Sequence, residues 1–525
     1  MKARRVAQVL IAAAFLLAGL SCAGYGQSAE AIFKSGMGAF RSGDYHAAEQ
    51  DFAELVRRDP SAAAFNFLGM AEAGAGDLSQ AITHFQKSIQ LGNRSAAVRY
   101  NLGLAYLRSH QAEAGIRQLQ KSLALNPGDR NTQYALGVAL LDSGRAGEAS
   151  AYLGKLRTQF PSDPRIWANL VKAQFEAGQS KQAAETAQDA VSAIPNNPRL
   201  AVTLAMICVN YRQTQTARNL LEDANELMPE DTEVRLLLAK ASLLAGEPVE
   251  ALAVLKQTPS DAAQAGADAS GERLLLMGEA RALTGNLGPA AVDLSAAVKQ
   301  SPNNPRYLSA FAWLEQFMGN YEGAIQTLEK ARSLDPKSPF IPYRIGVSRY
   351  FLEELPQAQE SCEEALKLDP HYAAASLLLG MIQLKQKNFL AAAASLQKAV
   401  SLDPWESLSR RDLGIALFRA GNAAQSKKQL DQALVLDPKD PVAYFWRAKV
   451  QASQGKTKLA INDLSAAIGL DPNYFDAYSE LARLYTENGQ PSQAALTLAR
   501  RKKIKTPSKV TDRNRLLRSL PGSEQ

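Results

Sequence analysis

A short signal, an apolar residue followed by a carboxylate and a helix breaker, punctuates the chain at a fixed interval. Leu-Asp-Pro stands at 334–336, 368–370, 402–404, 436–438 and 470–472, each 34 residues after the last. Prolines at 127, 161, 195 and 229 keep the same beat upstream. Pro60 precedes Pro127 by two periods less one, and Pro302 follows Pro229 by two periods plus five. Counted this way, 14 units cover about residues 29 to 508. A fixed period of this size predicts a stacked array rather than several independent domains.

Each unit has its own order of small and apolar slots. Twenty-four residues before the proline slot stands Gly or Ala, as at Gly36, Gly69, Gly137, Gly278, Gly380 and Ala448, with Val171 departing. Twelve residues before it stands Ala in most units, with Gly115 and Ser426 in two. Small residues at fixed places in two helices let those helices cross closely, where a larger side chain would overpack. Between the two slots a Gly recurs, as at Gly76, Gly178, Gly319 and Gly489. Such a Gly can take the left-handed conformation that ends the first helix. The proline then stops the second helix by disfavouring α geometry in the residue before it. Each unit is predicted to be a helical hairpin.

This pattern resembles the tetratricopeptide repeat (TPR) family, W-x2-L-G-x2-Y, then A-x3-F, then P. The matches are Leu102-Gly103-x2-Tyr106, Ala81-x3-Phe85, Trp167-x2-Leu170 and the proline series. The resemblance covers about nine-tenths of the chain. It implies an all-α fold, a right-handed superhelical solenoid of about 14 hairpins whose first helices line a concave binding surface. In the seventh unit Pro259 arrives early, and residues 259–271 are rich in Ala, Gly, Asp and Ser. The expected layout is units 1–7 over 29–258, a small-residue hinge or surface loop over 259–271, units 8–14 over 272–507, and a basic tail over 508–525.

Composition narrows the function. The 525 residues are 46% hydrophobic, 21% charged and 7% aromatic, enough apolar matter for a packed core. Three Cys and four His exclude a disulfide scaffold or a Cys/His-rich metal protein. The formal charge of +7 is concentrated at the ends. Arg500 to Arg518 carry a net +8 and the first 23 residues a net +3, so the remainder is mildly acidic and announces no nucleic-acid groove. Lys2, Arg4 and Arg5 precede an apolar run from Val6 to Leu20, followed by Ser21-Cys22-Ala23. That is the layout of a signal peptide over residues 1–23, and it predicts export to the periplasm or envelope. Two outcomes stay open there. Cleavage after Ala23 removes the segment, whereas Gly19-Leu20-Ser21-Cys22 resembles a bacterial lipoprotein box and makes Cys22 the candidate lipidation site.

No catalytic constellation emerges. His-Glu-x-x-His, the G-x-S-x-G elbow and paired-Cys metal spacing do not occur, and no motif calls for a cofactor. Gly455-Lys456-Thr457 imitates a phosphate loop but falls on an inter-helix turn, with Val450 where the first Gly is required. His46, His84, His110 and His371 lie in different units without ligand spacing, and Cys208 and Cys362 occupy apolar helix slots.

The expected partner is a protein or peptide. By TPR analogy, Trp313, Phe317, Phe340, Tyr343 and Tyr350 map to inner-face slots of consecutive first helices, where aromatic rings act as anchors. Packing between helices is the alternative role for these rings. The slots that hold a C-terminal carboxylate in chaperone-adaptor TPRs, or the Asn ladder of the glycosyltransferase-associated array, are not filled in kind. Asn66 with Met70 and Arg411 with Ile415 stand in the first, and Asn101 and Asn169 alone in the second. Arg165, Lys172 and Arg199 occupy inner slots of the earlier units. Around Leu516, Leu517 and Leu520 the tail is expected to cover the open end of the array. A lipid anchor or the basic tail is the expected route to a membrane, and the oligomeric state is not legible. The function so implied is a non-catalytic envelope scaffold. The competing readings are a periplasmic chaperone or an accessory factor for export, assembly or glycan handling.

Overall fold

Each 34-residue beat folds into two antiparallel helices, and the punctuating residues show why. The computed structural model describes residues 27–258, 267–504 and 516. In every Leu-Asp-Pro signal the Asp serves two helices. The Asp369 N–H donates to the Ala365 carbonyl and closes the second helix, while its carboxylate accepts from the His371 N–H at 2.8 Å. Asp335, Asp403, Asp437 and Asp471 repeat both bonds. A short polar side chain that bonds two residues ahead turns the chain without a glycine. Many first helices then begin on an Asn or Asp cap followed by Pro at the first position, as Asp163-Pro164, Asn304-Pro305 and Asp440-Pro441. Proline lacks only an N–H that would be unpaired there anyway.

The turn inside each hairpin is left-handed at one residue. Gly76 and Gly319 take φ +102° and +82°. In the four units without Gly at this slot, His110, Arg212, Glu353 and Lys387 adopt φ between +57° and +64°. The turn is therefore imposed by the hairpin, and these side chains bear its steric cost. The small slots work as expected. A Cβ on Gly380 would stand 2.4 Å from Leu396 Cγ, and one on Gly69 would meet Phe85 at 3.0 Å and the Ala81 carbonyl at 3.2 Å.

Twenty-eight helices are present among the described residues, pairing as fourteen hairpins, and the chain forms two compact units, 1–234 and 235–525. In the first, one core cluster joins Ala29 to Ala105 and the next joins Tyr100 to Ala173. In the second, the hairpins run from Ala267–Leu283 with Leu287–Gln300 to Phe475–Glu487 with Pro491–Lys502. Successive first helices touch, as Ala62–Ala75 does Ala96–Arg108 and Phe340–Phe351 does Ala373–Lys385. Among second helices within the described residues, Ser180–Ala193 and Thr214–Leu227 make a comparable contact. Within each unit the first helices thus line the more closely spaced, inner side.

The chain divides inside helix Thr232–Leu244. Within the second unit one core cluster runs from Leu236 through Leu255 and Leu276 to Trp313, and helix Pro248–Gln257 packs on Ala267–Leu283. That core joins the helices on either side of the expected hinge or loop. Helix already begins at Ala267, and the rest of the expected linker, like residues 1–23, lies outside the described residues.

Two substitutions test the crossing and one the turn. Gly380→Val forces the Leu396 side chain aside and should destabilise by about 1–3 kcal/mol. Gly38→Ala, which meets nothing within 4 Å, should stabilise by up to about 1 kcal/mol through helix propensity. Lys387→Gly should stabilise by about 1 kcal/mol by relieving the left-handed turn. Urea unfolding followed by circular dichroism reads all three, and destabilisation by Gly38→Ala together with no loss in Gly380→Val would contradict the account of the crossing.

Candidate binding groove

On the inner side of the second unit, helices Pro305–Met318 and Phe340–Phe351 each carry four aromatic rings, and Ala373–Lys385 lies beside the latter. These helices lack a polar face. Ile341 through Ser348 are all buried, Arg344 included. A helix apolar around its circumference must be covered on every side.

Of the five expected anchors, three keep accessible surface. Phe317, Phe340 and Tyr350 are half-buried. Trp313 is 0% exposed and Tyr343 2%, the packed position that was the alternative role for these rings. Trp313 packs in the core with Leu276, Met277 and Leu314 and meets Phe317 edge-on, with ring centroids 4.8 Å apart. Tyr343 meets Tyr372 edge-on at 5.4 Å and Phe340 at 6.5 Å. Tyr350 lies beneath Lys385 Nζ at 4.2 Å from its centroid, and Lys385 also pairs with Glu353 at 2.8 Å. Phe317 packs against the clusters of both Trp313 and Tyr343, which makes the groove continuous.

A buried polar trio, unnoticed in the sequence, runs through this apolar lining. Gln316 Nε2 donates to the Arg344 carbonyl at 2.8 Å and to Ser348 Oγ at 2.7 Å. Its Oε1 accepts from Arg344 Nη2. Arg344 Nη1 donates to the main-chain carbonyl of Leu516 at 3.2 Å. Leu516 is 4% exposed and belongs to the core cluster of Tyr343, Leu377, Met381 and Leu408. The expected cap is therefore corrected at this residue. Leu516 sits on the tenth hairpin, four hairpins before the last, because a buried guanidinium and an apolar pocket there accept it. The signal for Arg344 was present in the sequence as one charge inside Phe340-Ile341-Pro342-Tyr343-Arg344-Ile345.

Other candidates are held internally. In the first unit Arg165 pairs with Asp163 at 2.8 Å and lies over Tyr134, while Lys172 stands 3.7 Å from Glu176 and Arg199 is exposed. Burial raises the Asp163 pKa, but hydrogen bonds from Arg165 and Arg130 outweigh it and hold the carboxyl at about 2. Asn169 Nδ2 donates to Tyr134 Oη, and buried Asn66 donates to Met70 Sδ. Arg411 bonds Asp412 and Asp440, all three buried. His84 Nδ1 faces Glu72 at 2.8 Å. Gly455 is a left-handed turn residue before helix Thr457–Leu470. Cys208 and Cys362 are buried free thiols whose ionisation burial opposes, Cys208 being pushed up to about 12. No group of three or more His, Cys, Asp or Glu placed to hold a metal occurs among the described residues. No helix there is long and apolar enough to cross a membrane.

The repeat geometry and the groove together define an α-helical repeat protein. Models of the tetratricopeptide repeat match residues 33–97, 100–153, 140–207, 211–271, 305–338, 343–405, 411–474 and 451–507, and the chain belongs to that family. It is accordingly a protein-interaction scaffold in kind. No curated protein matches the sequence. Among solved structures the chain is similar to the crystal structure of the APC/C hetero-tetramer Cut9-Hcn1 (16% identity, TM-score 0.45, 94% of this chain and 96% of that one). It is also similar to the Naa15/Naa10 structure bound to HypK-THB (13%, TM-score 0.35, 91% and 100%). A further likeness is to YrrB, described as a TPR protein with an unusual peptide-binding site (22%, TM-score 0.31, 36% and 98%).

One buried acid beside the groove carries a pH signature. Glu279, on helix Ala267–Leu283, is buried, and its Oε1 has no hydrogen-bond partner. Burial pushes its pKa up to about 8, against the pull of Arg306, which pairs with Glu272 at 2.6 Å. The folded chain therefore holds a proton that the unfolded chain releases near its ordinary value of 4.5. Stability should fall as pH rises from about 4.5 through about 8. Glu279→Gln should raise stability at pH 8.5 by about 1–3 kcal/mol and much less at pH 5. Urea midpoints at the two pH values measure this; equal gains at both would contradict the assignment.

Proposed function

We propose that this chain is a non-catalytic scaffold of a bacterial cell envelope that binds protein or peptide partners on the inner faces of its first helices. The observation that carries the reading is the groove of the ninth to eleventh hairpins. Half-buried Phe317, Phe340 and Tyr350 pack against the cluster of Tyr343, and Gln316 ties down the neighbouring Arg344 through two hydrogen bonds. Rings fixed by packing supply contact area without the entropic cost of ordering, which is what anchors of an interface require. The flanking hairpins supply extended complementary surface, each contact weak and the sum specific. The envelope assignment is supported by the basic, then apolar, then small-residue order of residues 1–23.

Two experiments test the two halves. Mass spectrometry of the chain from its native host should show either a start at Gly24 or a lipid-bearing Cys22. A full-length chain beginning at Met1 in the cytosolic fraction would remove the envelope from the reading. For the groove, a Phe317→Ala/Phe340→Ala/Tyr350→Ala variant should lose at least about tenfold in affinity for a partner captured from envelope extracts. A Leu390→Ala/Val435→Ala variant, altered at two exposed residues of second helices, should retain it. Equal capture by both variants would place binding elsewhere.

A further inference from the structure

We propose that the groove of the ninth to eleventh hairpins is a peptide site whose resident ligand is this chain's own Leu516, and that an outside partner binds by displacing it. The proposal rests on the reading of that groove as an interaction surface and names the chemistry it takes: a leucine side chain in the apolar pocket and a main-chain carbonyl on Arg344.

Three features of the contact support it. The segment is recognised through its backbone, since Arg344 Nη1 donates to the Leu516 carbonyl at 3.2 Å. Any peptide offers such a carbonyl, so the donor does not restrict the site to this chain. The donor is also held in place. Gln316 accepts from the second guanidinium nitrogen and anchors itself on the Arg344 carbonyl and on Ser348, with Gln316 and Ser348 at 0% exposure and Arg344 at 1%. A cation fixed in an apolar lining needs acceptors, and the Leu516 carbonyl supplies one. Finally, the side chain is chosen by the pocket. Leu516 belongs to the buried cluster that includes Tyr343, Leu377 and Met381, and Phe317, Phe340 and Tyr350 pack against that same cluster. Three of the anchors expected for a partner therefore flank the cluster that Leu516 joins.

The geometry allows occupancy in cis. Leu516 lies twelve positions after Ile504, the last described residue after helix Pro491–Lys502, a length of chain that spans at most about 40 Å when extended. A short tether gives an effective concentration in the millimolar range, so a segment of modest intrinsic affinity stays bound until a tighter or more concentrated partner arrives. Residence is thus a threshold on partner binding.

The test uses full-length chains and a fluorescent peptide spanning residues 508–525. Wild type should bind the peptide at least about tenfold more weakly than the Leu516→Asp chain, whose own segment no longer fits the pocket. Leu516→Ala should fall between them and guards against misfolding of the charged variant, with circular dichroism as control. A Leu516→Asp/Arg344→Leu chain should bind more weakly than Leu516→Asp alone. In the absence of any peptide, amide hydrogen exchange over residues 340–351 should be faster in Leu516→Asp than in wild type. Equal peptide affinity for wild type and both Leu516 variants, or unchanged exchange over 340–351, overturns the proposal, as does failure of the peptide to bind any chain. If exchange and peptide binding both respond but the Leu516→Asp chain captures no envelope protein, the resident segment stands and the scaffold reading fails.

Discussion

Everything in this molecule hangs on how closely the two helices of a hairpin cross. At Gly380 a single added carbon would lie 2.4 Å from Leu396, and at Gly278 it would lie 2.4 Å from Leu294. The same meeting, of a small residue with a large apolar side chain sixteen positions later, recurs at Gly36, Gly69, Gly103, Gly137 and Gly414. That contact fixes the relative height of the two helices and hence the length of the turn between them. With both set, the chain can leave the second helix at one place only, where Asp and Pro stand. The 34-residue period is the written form of this crossing.

Once hairpins are alike, stacking follows, and so does curvature within each unit. Adjacent hairpins are joined by apolar clusters of neighbouring repeats, with Leu516 the distant exception, and by polar ties at nearly one period's distance. Arg306 with Glu272 and Lys385 with Glu353 are ties of this kind in the second unit. Arg447 adds a branched one, reaching Asp463 and Asp431 from a single guanidinium. Because first helices stand closer together than second helices, their side chains converge on one side. A residue at the same slot in three neighbouring repeats can then act on one ligand, which is how positions far apart in sequence become one groove.

The hairpin was legible in the sequence because its causes are local and repeated. The small slots, the turn glycines and the Leu-Asp-Pro signal each appear many times, so one irregular unit did not hide them. Four turns escaped the glycine rule, since His110, Arg212, Glu353 and Lys387 take the left-handed conformation under compulsion from the helices on either side. Cohesion from Leu236 to Trp313 rests on packing, which composition does not encode. At these helices, slot analogy put five rings on one side. It could not separate Trp313, which fills a core, from Phe317, which borders the groove, because that depends on a neighbour's shape.

Leu516 was the least legible residue of all, and the reason is instructive. Nothing periodic marks it, and its partner Arg344 looks like a misplaced charge in an apolar helix. Read together, the two explain each other. A guanidinium at that depth is costly unless acceptors surround it, and Gln316 satisfies one of its nitrogens while the Leu516 carbonyl satisfies another. Leu516 shares a buried apolar cluster with Tyr343, Leu377 and Met381, and burial of such surface favours a segment able to cover it. On the proposed reading, the features that would bind a foreign peptide are the same ones that hold the chain's own Leu516.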